Sequence, residues 1–192
     1  MKKLMTVLVM IISIVFVSSC GSDNITTTAK ERPKKILIAY YSQNNRNTAT
    51  VAKEIQKITG GDIFQIKTTT EYPKNVPGFL AQVKSEYTRQ IRPELAEQLP
   101  NFDEYDLVFL GFPNWYDSPP MGVFTFLEQY KWEGKTIAPF ITYGLSGMGS
   151  SIGDIHTSAP QATILRGLAI HASEIKGSNK LIEDWLKQIN LK

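Results

Sequence analysis

The chain offers almost no sulfur or imidazole chemistry. Its 192 residues include one cysteine, Cys20, and two histidines, His156 and His171. Cys20 closes an N-terminal apolar run, so everything after it is free of thiols. That excludes a disulfide, a Cys-ligated zinc and an iron–sulfur cluster from the folded part. Neither histidine has a His-x-x-x-His partner or a carboxylate cluster nearby, so no metal centre is expected, and each reads as a surface or cavity histidine. Redox chemistry, if there is any, has to be carried by an organic cofactor. An excess of one charge is missing too: 21 basic residues face 18 acidic ones, formally +3. Setting aside Lys2 and Lys3 leaves 19 against 18. No basic face points to nucleic acid, and there are no internal repeats.

The N-terminus reads as an export signal. Lys2 and Lys3 precede an apolar run from Leu4 to Val17. That run is shorter than the roughly 20 residues that span a bilayer. Val17-Ser18-Ser19-Cys20 follows, with small residues before the cysteine, and it looks like a bacterial lipoprotein signal. On this reading residues 1–20 are the signal and Cys20 is lipidated. The alternatives are an ordinary secretory peptide cleaved elsewhere, or an uncleaved anchor. Gly21 follows the cysteine rather than an aspartate, so nothing argues for retention at an inner membrane. The expected location is the bacterial cell envelope, outside the cytoplasm and lipid-anchored. Residues 21–33 are Thr-, Ser- and charge-rich with no apolar period, and read as a flexible tether. Residues 34–192 have the length of one domain with a full core.

Within that domain, short apolar runs alternate with helical patterns. The runs are Ile36–Tyr41, Ile63–Ile66, Leu107–Gly111, Ile137–Thr142 and a weaker one at Leu168–His171. The helical patterns cover about 48–59, 76–98 with a break near Pro93, 120–130, 150–157 and 179–190. Such alternation predicts a parallel sheet covered on both faces. Pro139 cannot donate to a ladder, so the fourth strand is expected to start effectively after it.

The chain is organised around Ile36 to Thr48: an apolar strand, five polar residues, then a helix start. The first turn of a helix has unpaired N–H groups and the positive end of the dipole, so this geometry suits an anion. Ser42 and Thr48 add hydroxyls, and Asn47 adds an amide or a cap. This turn has neither the Gly-Lys-Ser/Thr end of a Walker loop nor the Gly-x-Gly-x-x-Gly of a dinucleotide fold. What is left is a phosphate held by hydroxyls and backbone amides. Taken alone, the loop reads better as an ordinary polar βα turn.

Ligands of such sheets sit beyond the carboxyl ends of the strands. The loop after the third strand is Gly111 to Pro120, with Trp115 and Tyr116 adjacent and three prolines. The loop after the fourth is Thr142 to Ser151, rich in glycine, so its backbone can approach a ligand. A phosphate loop, an aromatic loop and an amide-rich loop at one edge suit a phosphorylated planar heterocycle.

The ordered set of motifs resembles the flavodoxin-like family, in the form found among bacterial lipoproteins and small FMN proteins. It comprises Ala39-Tyr40-Tyr41-Ser42 with Asn47-Thr48, Arg92-Pro93-Glu94-Leu95, Tyr105 to Tyr116, Phe126-Leu127-Glu128, Gly134-Lys135-Thr136, Ser146 to Ser151 and Gly167 to Ile170. The resemblance implies a three-layer α/β sandwich, a five-stranded parallel sheet in order 2-1-3-4-5 with helices on both faces, and one non-covalent FMN. It implies that Ser42, Asn47 and Thr48 hold the phosphate. Pro113, Asn114, Trp115 and Tyr116 would cover the isoalloxazine, with Trp115 or Tyr116 stacked on it; the competing reading of these two aromatics is a capped core edge. Gly144, Ser146 and Gly147 would lie along the pyrimidine edge, where N–H groups stabilise charge on the reduced ring. Two departures stand out. The phosphate loop is one residue longer than usual, with Arg46 where glycine is common. Asp117 stands in the aromatic loop, where the family often has glycine and where a peptide is expected to rotate on reduction.

Three functions compete. The first is an electron carrier that transfers electrons through FMN to a redox partner protein, and the short loops favour it. The second is an FMN-dependent oxidoreductase passing hydride from NAD(P)H to a small acceptor such as a quinone, with the Tyr72-Pro73 loop and the segment to Leu99 roofing a substrate pocket. The third is a binding lipoprotein that keeps the fold without redox work.

Overall fold

The computed structural model describes residues 34–43 and 46–191. The expected signal, the lipidation site Cys20 and the tether 21–33 lie outside the described residues, as do Asn44 and Asn45 of the first loop.

Strands are β1 (Ile36–Tyr41), β2 (Asp62–Ile66), β3 (Leu107–Pro113), β4 (Thr136–Tyr143), β5 (Thr163–Ile164) and β6 (Leu168–His171). Helices are α1 (Asn47–Thr59), α2 (Val76–Arg89), α3 (Met121–Gln129), α4 (Ser151–Ser158) and α5 (Asn179–Gln188). All strand pairs are parallel, and the order is β2-β1-β3-β4-β5 with β6 also on β4. This is the expected 2-1-3-4-5 sheet, with the fifth position filled by two short pieces.

The apolar runs become central strands because both faces are buried, and their side chains alternate between two cores. Leu37, Ala39 and Tyr41 of β1 and Val108, Leu110 and Phe112 of β3 join Val123, Phe126 and Leu127 of α3 and Ile155 of α4. Ile38, Tyr40, Leu107 and Phe109 join Val51, Ala52 and Ile55 of α1 and Ile182, Trp185 and Leu186 of α5. Ile182, Trp185 and Leu186 are thus the buried face of α5. Trp185 packs edge-to-face on Phe109 at 5.6 Å, and its indole N–H donates to the Arg166 carbonyl at 2.7 Å.

Two expectations need correction. First, β4 runs unbroken from Thr136 through Pro139 to Tyr143. The Lys135 and Ile137 carbonyls accept from Thr163 and Leu165. Backbone groups of alternate residues therefore turn toward β5, and Pro139 comes next in that series. It lies opposite the break between β5 and β6, where no donor is needed. Second, the helical pattern expected over 76–98 stops at Arg89, well before Pro93. Gln90 takes a left-handed conformation (φ 52°) that caps α2. The chain then runs back beside the end of β2: the Thr69 N–H donates to the Glu94 carbonyl and the Ala96 N–H to the Lys67 carbonyl, both at 2.9 Å.

Candidate cofactor cleft

The sheet order reverses at β1, which has β2 on one side and β3 on the other. The segments leaving β1 and β3 turn to opposite faces and leave a crevice between them. A cleft of about 390 Å³ lies there, beyond the ends of β1, β3 and β4.

The loop after β1 forms its polar end. The Arg46 N–H donates to the Gln43 carbonyl at 2.9 Å and closes the turn. Arg46 itself is left-handed (φ 53°) as it enters α1, the conformation for which a glycine is the easier residue. The Ser42 hydroxyl accepts from the Ala49 N–H at 3.3 Å. Thr48 is buried, and its hydroxyl pairs with that of Thr142 at 2.8 Å, so one of the two is left a proton to donate elsewhere. Ser42, Arg46, Asn47 and Thr48 all line the cleft, and among the described residues no carboxylate does. A helix N-terminus, hydroxyls, an amide and a guanidinium without a competing negative charge fit a phosphate.

Pro113, Asn114 and Trp115 line the opposite wall. The Trp115 ring meets Tyr41, Tyr72 and Phe79 edge-on, with centroids 5.6, 5.5 and 4.9 Å away. It is therefore both a core cap and a cleft wall, since three edge-to-face contacts fix its plane while it still borders the cavity. Tyr116 is 53% exposed and leans on Tyr87 at 5.8 Å. It lines a neighbouring cleft of about 350 Å³ together with Asp117, Leu145 and Ser146. The two clefts share Asn114, Tyr143 and Gly144.

Tyr116 and Asp117 form a tight turn. Trp115 and Ser118 exchange N–H···O bonds at 3.0 and 3.1 Å, and the two central residues have φ of 51° and 64°. Positive φ at both positions is the turn that asparagine–glycine makes most easily. Here a bulky aromatic bears it, at a cost of order 1–3 kcal/mol per residue. The Asp117 carbonyl is also held twice, by the Ser150 N–H at 2.6 Å and the Ser150 hydroxyl at 2.9 Å. Asp117 thus already occupies the glycine-like region, and its carbonyl lacks the rotational freedom that the resemblance implied for this loop. Replacing Tyr116-Asp117 with Asn-Gly is expected to stabilise the fold by about 1–2 kcal/mol in denaturant titration, because it removes that strain.

The Gly-rich loop closes the third side. Gly144 lines both clefts and Ser146 the outer one. Gly147 lines neither; its carbonyl accepts from the Asn114 amide at 2.7 Å, which ties the third loop to the second. So Ser42, Asn47, Thr48, Pro113, Asn114, Trp115 and Gly144 meet in one cavity, Tyr116 and Ser146 in its neighbour, and Gly147 acts between the loops.

Sequence reading missed several participants. Thr142 lies next to the last residue of β4, and a hydroxyl at a strand's carboxyl end is the signal that could have found it. Val76 and Phe79 of α2 line the cleft and Tyr72 backs its Trp115 wall, whereas the sequence suggests this segment only as the roof of a substrate pocket. His171 holds the Gly144 carbonyl through Nε2 at 3.1 Å, while its Nδ1 pairs with the Ser173 hydroxyl at 2.7 Å.

A doubly wound 2-1-3-4-5 sheet with an anion loop after β1 and its cleft at the reversal defines a flavodoxin-like α/β protein. The family profile described as flavodoxin matches residues 35–189, and the chain belongs to that family. Among solved structures it is similar to a candidate flavoprotein from Bacteroides eggerthii, with 29% identity and a TM-score of 0.73 over 83% of this chain and 100% of that one. A second candidate flavoprotein, from Bacteroides uniformis, shows 26% identity and 0.72 over 81% and 99%. A flavoprotein from Lactobacillus acidophilus, solved in complex with FMN, shares the fold at 21% identity and 0.61 over 75% and 97%. Among curated proteins none matches.

Proposed function

We propose that the protein binds FMN non-covalently and serves as a redox protein of the bacterial envelope, passing electrons through the flavin to a partner. The observation that carries this reading is the meeting of Ser42, Asn47 and Thr48 with Trp115 and Gly144 in one cleft that no carboxylate among the described residues lines. FMN would supply one- and two-electron transfer. The chain would do the rest. The α1 N-terminus, the Ser42 and Thr48 hydroxyls and Arg46 bind the phosphate. Trp115, braced by Tyr41, Tyr72 and Phe79, gives the ring a rigid apolar wall. Membership of the flavodoxin family supports the same assignment.

The outer cleft favours a second reading, an NAD(P)H- or quinone-type oxidoreductase. It opens beside the first through Asn114, Tyr143 and Gly144, and Tyr116 and Leu145 give it an apolar rim. Addition of NADH or NADPH to the flavin-loaded protein without oxygen separates the two. Rapid bleaching of the flavin spectrum supports the enzyme, and an unchanged spectrum supports the carrier.

Anchoring rests on Val17-Ser18-Ser19-Cys20 and the basic, apolar start. In cells fed labelled palmitate, the unaltered chain is expected to take up label and Cys20→Ser to take up none. Equal labelling of both removes the anchor from the account.

A further inference from the structure

A second cleft, of about 530 Å³, lies between α1 and the ends of β1 and β2. Ser42, Gln43 and Arg46 of the phosphate loop border both it and the flavin cleft, whereas Tyr40, Lys53 and Gln65 line this one alone. Arg46, Ala49 and Lys53 are three and four residues apart, so they share one face of α1. The small side chain of Ala49 leaves room between the two cations. Neither cation is in an ion pair among the described residues. Glu54, next to Lys53 in sequence, is taken by Lys57 instead. Among the described residues no carboxylate lines the cleft.

Tyr40 adds an independent sign of a ligand. It sits on β1, which is paired on both sides, and it is only 7% exposed. Its ring belongs to the core built with Val51, Ala52 and Ile55 of α1. Its hydroxyl has no hydrogen bond among the described residues, and the residue borders the cleft. With its backbone paired and its ring enclosed, the hydroxyl is what Tyr40 presents there. A phenylalanine would fill the core as well without leaving a donor to satisfy. Gln65 lies opposite Tyr40 in the β1–β2 register and adds an amide to the same cleft. Two cations, a phenol proton and an amide donor suit a dianion with several acceptor oxygens. A phosphate monoester offers about two charges and three such oxygens, more than one carboxylate does. The volume is in the range of small-molecule sites, so the organic part has room.

We propose that this cleft binds a second, phosphorylated small molecule, with its phosphate on Lys53, the Tyr40 hydroxyl and the Gln65 amide, and with Arg46 between it and the flavin cleft. The site does not depend on the FMN reading, because Tyr40 and Lys53 do not line the flavin cleft. The experiment titrates the FMN-loaded protein calorimetrically with inorganic phosphate and, separately, with malonate at constant ionic strength. It uses the unaltered chain, Lys53→Gln and Tyr40→Phe. Lys53 is exposed and Tyr40→Phe keeps the ring, so both variants should fold. Phosphate is expected to fill one saturable site more tightly than malonate. Each substitution should weaken it about tenfold, the worth of one hydrogen bond to a charged group, and leave FMN affinity unchanged. No saturable binding, phosphate binding that either variant leaves intact, or tighter binding of malonate overturns the proposal. Loss of FMN affinity equal to the loss for phosphate would make the cleft part of the flavin's own site and overturn it too. Failure of the unaltered chain to retain FMN would count against the flavin reading alone, and the same two variants then decide the phosphate site on the apoprotein.

Discussion

Replacing Ser42 and Thr48 together by alanine is expected to weaken FMN by about 3 kcal/mol, roughly two orders of magnitude, and to leave riboflavin nearly untouched. Hydrogen bonds to a charged group contribute about 1.5–3 kcal/mol each. Two are at stake, but Thr48 already shares its hydroxyl with Thr142 at 2.8 Å. Its loss therefore also strands a buried hydroxyl, and part of the cost appears as lower stability. Riboflavin has the same ring and no phosphate, so it isolates the loop from the wall. Fluorescence titration of the apoprotein with both ligands is the measurement. Equal weakening of the two would mean that Ser42 and Thr48 shape the cleft without touching phosphate.

Gly149→Ala is expected to be the most damaging single change outside the core. Gly149 has φ of 54°, where any Cβ is strained. A Cβ there would also overlap the carbonyl and Cα of Asp117. Those atoms are backbone, pinned by the two hydrogen bonds from Ser150, so they cannot swing aside as a flexible side chain would. The left-handed cost of about 1–2 kcal/mol and an overpacking cost of about 1–3 kcal/mol add, giving roughly 2–5 kcal/mol. Because the clash lies between the aromatic and Gly-rich loops, flavin affinity should fall with stability. Urea titration and flavin titration of the variant test this. Unchanged stability would mean that the two loops are not in contact as described.

The sheet was legible in the sequence because β1, β3 and β4 are buried on both faces and so read as unbroken apolar runs. Their order came from the resemblance rather than from the runs. The end of α2 was not legible. Its apolar period continues toward Leu95, and nothing in the sequence marks Gln90 as left-handed, since that conformation is imposed by where the chain must go next. Pro139 misled for a related reason. Proline is excluded from a ladder only where a donor is needed, and the gap between β5 and β6 removes that need.

Site residues on the three loops could be named because hydroxyls, adjacent aromatics and glycines at strand ends have few structural uses in common. Thr142 could not, because it acts through a partner far away in sequence, Thr48. For Trp115 the sequence allows either a core cap or a flavin contact, and its three edge-on neighbours make it a cap that still borders the cleft. Nothing in the residue type of Tyr116 signals a positive φ, which belongs to the turn and not to tyrosine.

The central claim is that this cleft selects a flavin through its phosphate. The most direct measurement is competition: incubate the purified protein with equal FMN, FAD and riboflavin, remove unbound flavin, and identify what is released on denaturation. FMN is expected, at one per chain, with riboflavin and FAD nearly absent. Retention of no flavin, or of riboflavin as readily as FMN, would contradict it.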